Sequence, residues 1–123
     1  MLQVVLATAR PETWPHFVEA LLSDPEVRLR QVASGTETLE AVRAAPPHLV
    51  IVDAGLPDTG PLELVQRLLM VNALVNTAVV STLTDEEFHE ASEGLGILSP
   101  LPSEPRGFEA AELLHKLRKV LGL

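Results

Sequence analysis

Short apolar runs alternate with amphipathic stretches along the chain, and this alternation predicts its secondary structure. The run LVIV at residues 49–52 is continuous and of strand length, whereas Trp14, Phe17, Leu21 and Leu22 recur at helical spacing. The same reading predicts strands at residues 4–7, 27–33, 49–52, 77–81 and 97–98. An amphipathic segment follows each of them, and the last helix spans residues 108–121.

Residues that favour helix termini support these boundaries. Pro15 suits the first turn of the first helix, where its missing N–H costs no hydrogen bond. Ser34 and Thr84 are each followed three residues later by glutamate, which is the pattern of a capping box. Gly60 precedes Pro61 at the start of the third helix. Five strands therefore alternate with five helices.

This alternation predicts an α/β fold in a single domain of residues 1–123. Parallel strands joined by right-handed helical crossovers give a doubly wound (βα)5 three-layer sandwich. In such sheets the loops at the carboxyl ends of the strands build the functional site. The residues predicted at those ends are Thr8, Asp53, Thr82, Leu83, Leu101 and Pro102.

Composition and charge narrow the function. The 123 residues are 46% hydrophobic, which fits a globular domain, and the net charge of −8 argues against direct binding of nucleic acid. The absence of cysteine excludes disulfides and thiolate catalysis. The apolar run near the N-terminus is too short for a signal peptide or membrane span, so we expect a cytoplasmic protein without membrane contacts.

Two segments carry a resemblance to a known family. PHLVIVDAGLPD at residues 47–58 and VASGTETL at residues 32–39 resemble the receiver domains of bacterial response regulators (the CheY-like superfamily). The resemblance implies a flavodoxin-like parallel sheet of order 2-1-3-4-5 and a role in two-component phosphorelay signalling. It also implies that Asp53 stands where the family's aspartate accepts a phosphoryl group from a histidine kinase. In the family, Mg²⁺ bound by an acidic pair after strand 1, and a lysine after strand 5, support that transfer.

The supporting positions are altered in this chain. The acidic pair falls on Thr8 and Ala9, and the family's Lys-Pro falls on Leu101 and Pro102. Alanine offers no side-chain ligand for a cation, and leucine cannot neutralise a phosphoryl oxygen. Removing one charge-stabilising group from such a site typically costs ~3–4 kcal/mol in the transition state. We therefore do not expect efficient Mg²⁺-dependent phosphorylation of Asp53, and we expect no cofactor.

The region after strand 4 departs from the family as well. Its switch Ser/Thr falls on Leu83, and Thr82 or Thr84 takes that position only after a one-residue slip. The stretch up to Pro102 is several residues shorter than in the family, which predicts a curtailed fourth helix or loops. The Leu101–Pro102 peptide bond could be cis, as in the family, or an ordinary trans bond.

Three hypotheses follow. The first is an atypical, non-enzymatic pseudo-receiver that acts as a phosphorylation-independent interaction module, with a histidine kinase, another regulator or a second copy in a homodimer as partner. The second is a working phosphoacceptor, with Glu12 and Asp58 as substitute cation ligands. The alternative for these two residues is that they are solvated or cap backbone N–H groups. The remote third is a flavin-binding redox protein, although its loop at residues 8–13 lacks glycine and no aromatic pair is available.

Apolar residues at the former charged site allow two interpretations. They form either a surface that binds a protein or small ligand, or simply the collapsed remainder of an unused site. The residues concerned are Ala9, Leu56, Leu83, Leu98 and Leu101.

Overall fold

A central parallel sheet with helices on both faces organises the protein. The computed structural model describes all 123 residues. The strands are β1 (Leu2–Ala7), β2 (Val27–Val32), β3 (Leu49–Val52), β4 (Asn76–Val80) and β5 (Ser99–Leu101). The helices are α1 (Pro15–Leu22), α2 (Gly35–Ala44), α3 (Pro61–Val71), α4 (Asp85–Ala91) and α5 (Gly107–Leu121), and a short 3-10 turn (Pro11–Thr13) precedes α1.

The sheet has the order β2-β1-β3-β4-β5, and all four strand pairs are parallel. The predicted doubly wound fold and its strand order are therefore confirmed. Ala7 pairs with Val52, and Val52 pairs with Val79. Because these rungs are level, the residues that follow β1, β3 and β4 emerge at one edge of the sheet.

Each face of the sheet has its own apolar core. One core packs α1 and α5 against the sheet around Trp14, Phe17 and Leu117, and the other packs α2 and α3 around Val42 and Leu68. All five of these side chains have no exposed surface. Burying a side chain of this size contributes roughly 1.5–3 kcal/mol each, so the two cores dominate the stability of the domain. Leu22, predicted on the inner face of α1, is instead 54% exposed, because it lies at the end of that helix.

The fifth strand is not where the apolar pattern placed it. Residues 97–98 lie before β5, where the Leu98 N–H donates to the Thr77 carbonyl oxygen at 2.7 Å, and the strand itself pairs Ser99–Leu101 with Ala78–Val80. Pro100 is tolerated there because β5 is an edge strand, and an edge strand can leave one side of its backbone unpaired. The start of β4 is likewise one residue earlier than predicted.

The helix termini largely follow the predicted caps. Thr84 and Glu87 form a complete capping box, with N–H···O distances of 3.2 and 3.0 Å. Ser34 accepts from the Glu37 N–H, but the Glu37 carboxylate reaches back to the N–H of Ala33 rather than to Ser34. With seven residues, α4 is the shortest α-helix, in line with the shortened sequence between β4 and Pro102.

Candidate functional site

Asp53 and Thr8 lie together at the carboxyl edge of the sheet. Both follow a buried strand directly, and the Asp53 N–H continues the ladder by donating to the Ala7 carbonyl oxygen at 2.9 Å. The Thr8 hydroxyl donates to Asp53 Oδ2 at 2.7 Å. Asp53 has no exposed surface and Thr8 is 3% exposed. A buried carboxylate of this kind requires a counter-charge and a full set of donors.

Arg10 supplies the counter-charge. Its Nε donates to Asp53 Oδ2 at 2.9 Å, and its Nη2 donates to Asp53 Oδ1 at 2.9 Å, so the guanidinium grips both carboxylate oxygens. The side chain is 34% exposed, and its Nη2 also donates to the Ser103 carbonyl oxygen at 2.7 Å in the loop after β5. The hydrogen bond with Asp53 is the largest cause that raises the pKa of Arg10, which therefore stays protonated.

Two further donors complete the shell around the carboxylate. The Trp14 indole N–H donates to Asp53 Oδ2 at 3.3 Å, and the Ala54 backbone N–H donates to Asp53 Oδ1 at 2.8 Å. With Thr8 and Arg10, Oδ2 accepts three hydrogen bonds and Oδ1 accepts two. A carboxylate offers about four lone-pair sites, so this one is saturated.

Sequence reasoning missed the role of Arg10 and saw Trp14 only as a core residue. Trp14 is indeed buried, with its ring at 84° to Phe17 and the centroids 5.1 Å apart, but its indole N–H serves the site. One signal was available: Arg10 is the only lysine or arginine before Arg28, and it lies in the loop that leaves β1 towards the Asp53 edge.

The other positions singled out from the sequence do not join this cluster. Leu101 is buried at the end of β5, Pro102 is exposed, and the peptide bond between them is trans, like all others in the chain. Ala9 and Thr82 are exposed, and Leu83 is 43% exposed. The altered positions thus form no apolar patch in common, because Leu56 and Leu101 are buried and Leu98 is half-buried.

Asp58 caps a helix. Its carboxylate accepts from the N–H groups of Gly35 and Thr36 at 2.7 and 3.0 Å, and from the Thr36 hydroxyl at 2.9 Å. These bonds, the one from Gly35 first, hold the pKa of Asp58 below its usual range. Asp58 therefore fixes the start of α2, which matches the capping role considered for it, and Glu12 lies exposed on the 3-10 turn.

The residues at this edge do not fit a magnesium ion. The oxygens of Asp53 and the hydroxyl of Thr8 are already used in the cluster with Arg10, and Ala9 has no side-chain oxygen. A guanidinium already at the carboxylate repels a second cation. No three His, Asp or Glu side chains in the chain are grouped so as to hold a metal ion.

An apolar groove lies beside the cluster, between the starts of α3 and α4. It has a volume of about 240 Å³. Its lining consists of Ala54, Pro61, Leu62, Val79, Val80, Ser81, Thr82, Leu83 and Phe88. Ala54 connects the groove to the site, because its backbone N–H also serves Asp53.

Similar proteins share this architecture. The chemotaxis response regulator CheY4 of Vibrio cholerae superposes with a TM-score of 0.81 at 18% identity, covering 95% of this chain and 98% of that one. The response regulator domain of Thermotoga maritima CheB superposes with a TM-score of 0.78 at 20% identity, covering 100% and 98%. The chain has the receiver-domain fold. No family model matches it.

One curated protein is similar to this chain in sequence. The protein-glutamate methylesterase/protein-glutamine glutaminase 1 of Methanospirillum hungatei is 29% identical over 110 residues, which cover 83% of this chain. The chain spans about a third (32%) of that protein's length. None of the helices in the receiver fold is both long and apolar enough to cross a membrane.

Proposed function

We propose that this receiver fold is a phosphorylation-independent protein interaction module of two-component signalling, without enzymatic activity of its own. The observation that carries the proposal is the saturated Asp53 carboxylate, which is fully buried and paired with Arg10. Asp53 stands at the position of the phosphoacceptor in receiver domains. Its burial and its hydrogen bonds to Arg10 and Thr8 favour a structural role for its carboxylate instead.

The chemistry of transfer explains why this arrangement opposes phosphorylation. A carboxylate oxygen that attacks a phosphorylated donor needs a free lone pair and an open approach. Freeing either oxygen here breaks at least one charge-assisted hydrogen bond to Arg10, each worth roughly 1.5–3 kcal/mol. That cost adds to the missing stabilisation from a cation and from a lysine at position 101. Asp53 is therefore a poor nucleophile in the folded domain.

The partner classes follow from the fold rather than from the site. Receiver folds of this kind occur in response regulators, so we propose a histidine kinase, another regulator or a second copy of this chain as partner, in the cytoplasm. The chain spans only a third of the Methanospirillum relative, so we propose neither of the activities in that protein's name for this chain.

The decisive experiment is treatment with acetyl phosphate, with and without Mg²⁺, followed by intact-mass measurement. We expect no phosphoryl adduct on the wild-type protein, and no change in Trp14 fluorescence on addition of Mg²⁺. Asp53→Ala serves as the site control. Stoichiometric, Mg²⁺-dependent labelling that disappears in Asp53→Ala would refute the proposal and favour the working phosphoacceptor instead.

A further inference from the structure

The apolar groove beside the site is the size of a pocket that takes a single side chain of a binding partner. About 240 Å³ is less than the 300–1,000 Å³ of pockets that enclose drug-sized ligands. Its lining is partly exposed to solvent: Leu62 and Phe88 are half-buried, and Leu83 is 43% exposed. Such a space accommodates one large apolar side chain presented from outside.

The helix along this groove has an unsatisfied apolar side. None of the residues of α4 is buried, and its Phe88 lines the groove while remaining half-buried. Amphipathic helices gain stability by burying such a face. Phe88 packs only partly against the core on that face of the sheet, so a partner that covers Phe88 and Leu83 would bury surface that the fold itself leaves open.

The helix beside the groove is strongly acidic, and His89 is its one basic side chain. Five acidic residues lie exposed on and directly after α4, and none of them forms a salt bridge. They are Asp85, Glu86, Glu87, Glu90 and Glu93. No lysine or arginine occurs between Arg67 and Arg106. Charge complementarity at interfaces selects partners of the opposite sign and speeds their association.

We propose that this groove docks a protein segment that presents one large apolar side chain flanked by lysine or arginine. The apolar side chain enters between Leu62, Leu83 and Phe88, and a flanking cation faces the exposed carboxylate of Asp85, which lies on the same side of α4 as Phe88. The inference deepens the proposed function, on which it rests, by specifying the partner's chemistry. Ala54 lines the groove and its backbone N–H donates to Asp53, so the groove lies directly beside the Arg10–Asp53 pair.

The test is an unbiased selection of peptides from a random twelve-residue library displayed on phage, with the full chain immobilised. We expect enrichment of sequences with a Leu, Ile or Phe flanked by Lys or Arg. Selected peptides are then synthesised, and their affinities are measured at two salt concentrations. Binding should weaken at least tenfold in Leu83→Ser, and it should also weaken in Asp85→Lys, because Asp85 lies three residues before Phe88 on the same side of α4. Added salt should weaken it as well.

The matched control is Leu74→Ser. Leu74 is 89% exposed, but it precedes β4 and therefore lies at the opposite end of the sheet from the groove. Its replacement should leave affinity unchanged, and circular dichroism with Trp14 fluorescence verifies that each variant is folded. Amide chemical shifts of Ala54 and Leu83 should move on titration of the wild-type chain with peptide.

Several results would overturn the groove proposal: a library that yields no binder, binders without basic enrichment, binding that survives Leu83→Ser, or binding that is lost in Leu74→Ser. Its failure is distinguishable from that of the proposed function. Phosphorylation of Asp53 would refute the phosphorylation-independent module while leaving the mapped peptide site intact, whereas a groove without binders leaves the Asp53 result untouched.

Discussion

Replacing Arg10 with alanine should destabilise the domain far more than removal of an ordinary surface arginine. Arg10 gives two hydrogen bonds to a carboxylate without exposed surface and one to the Ser103 carbonyl oxygen. Truncating one partner of a buried ion pair costs ~3–5 kcal/mol, because the other charge stays buried without compensation.

Two structural facts reduce that figure. The Arg10 side chain is 34% exposed, so water can enter the space that it leaves, and Thr8, Trp14 and Ala54 still donate to Asp53. We therefore expect a loss of about 2–3.5 kcal/mol in the free energy of unfolding. For a domain of this size that loss corresponds to a fall in Tm of roughly 8–15 °C.

Urea unfolding followed by the fluorescence of Trp14, the only tryptophan, measures this loss directly. The control is Arg67→Ala, whose pair with Glu63 lies on the surface of α3 with both side chains more than half exposed. That variant should change stability by less than ~0.5 kcal/mol. In Asp53→Asn, where the buried charge is gone, the cost of Arg10→Ala should shrink. Equal losses for Arg10→Ala and Arg67→Ala, with unchanged m-values, would refute the reasoning.

Three further predictions concern single contacts. Thr8→Val keeps the shape but removes a donor to the buried Asp53, so urea unfolding should show a loss of about 1–3 kcal/mol, whereas Thr8→Ser should restore most of it. The folded-state pKa of Asp58 is lowered, so its capping stabilises the fold above the unfolded value of about 3.9 and is lost as pH falls through the folded value. Asp58→Asn should consequently flatten the stability profile measured below about pH 4, and an unchanged slope would contradict the cap. Leu68→Ala opens a cavity in the core under α3 and should cost ~2–5 kcal/mol in the same urea assay; a loss below 1 kcal/mol would mean that the site collapses around it.

The pattern of apolar residues sufficed for the fold where it was long or unbroken. The run at β3 is buried at every position, and in a parallel sheet the carboxyl ends of β1 and β3 meet at one edge, which is why Thr8 and Asp53 could be placed at the same end. The pattern failed at β5, a three-residue edge strand with Pro100 at its centre. So short a strand carries no periodicity, and its position is fixed by pairing with β4 instead.

Only the part of the site that directly follows the strands, Thr8 and Asp53, could be predicted from the sequence. Arg10 lies in a loop, and loop geometry has no sequence period that would show its side chain turning back onto Asp53. The hydrogen bond from the Trp14 indole N–H to Asp53 could not be predicted for another reason. Burial of the ring in the core already explains a tryptophan at this position, so the sequence gives no sign of a partner for its N–H. Both contacts depend on the three-dimensional convergence of the loops after β1, β3 and β5.

The guanidinium on Asp53 is part of the polypeptide, and this sets it apart from a bound metal ion. A tethered counter-ion has no dissociation constant: it cannot be chelated, diluted or outcompeted, and it keeps its charge at every pH at which the protein folds. Its occupancy is therefore independent of ion levels in the surroundings. The Arg10–Asp53 pair therefore presents the same neutralised carboxylate at this edge of the sheet whether or not a free divalent cation is present.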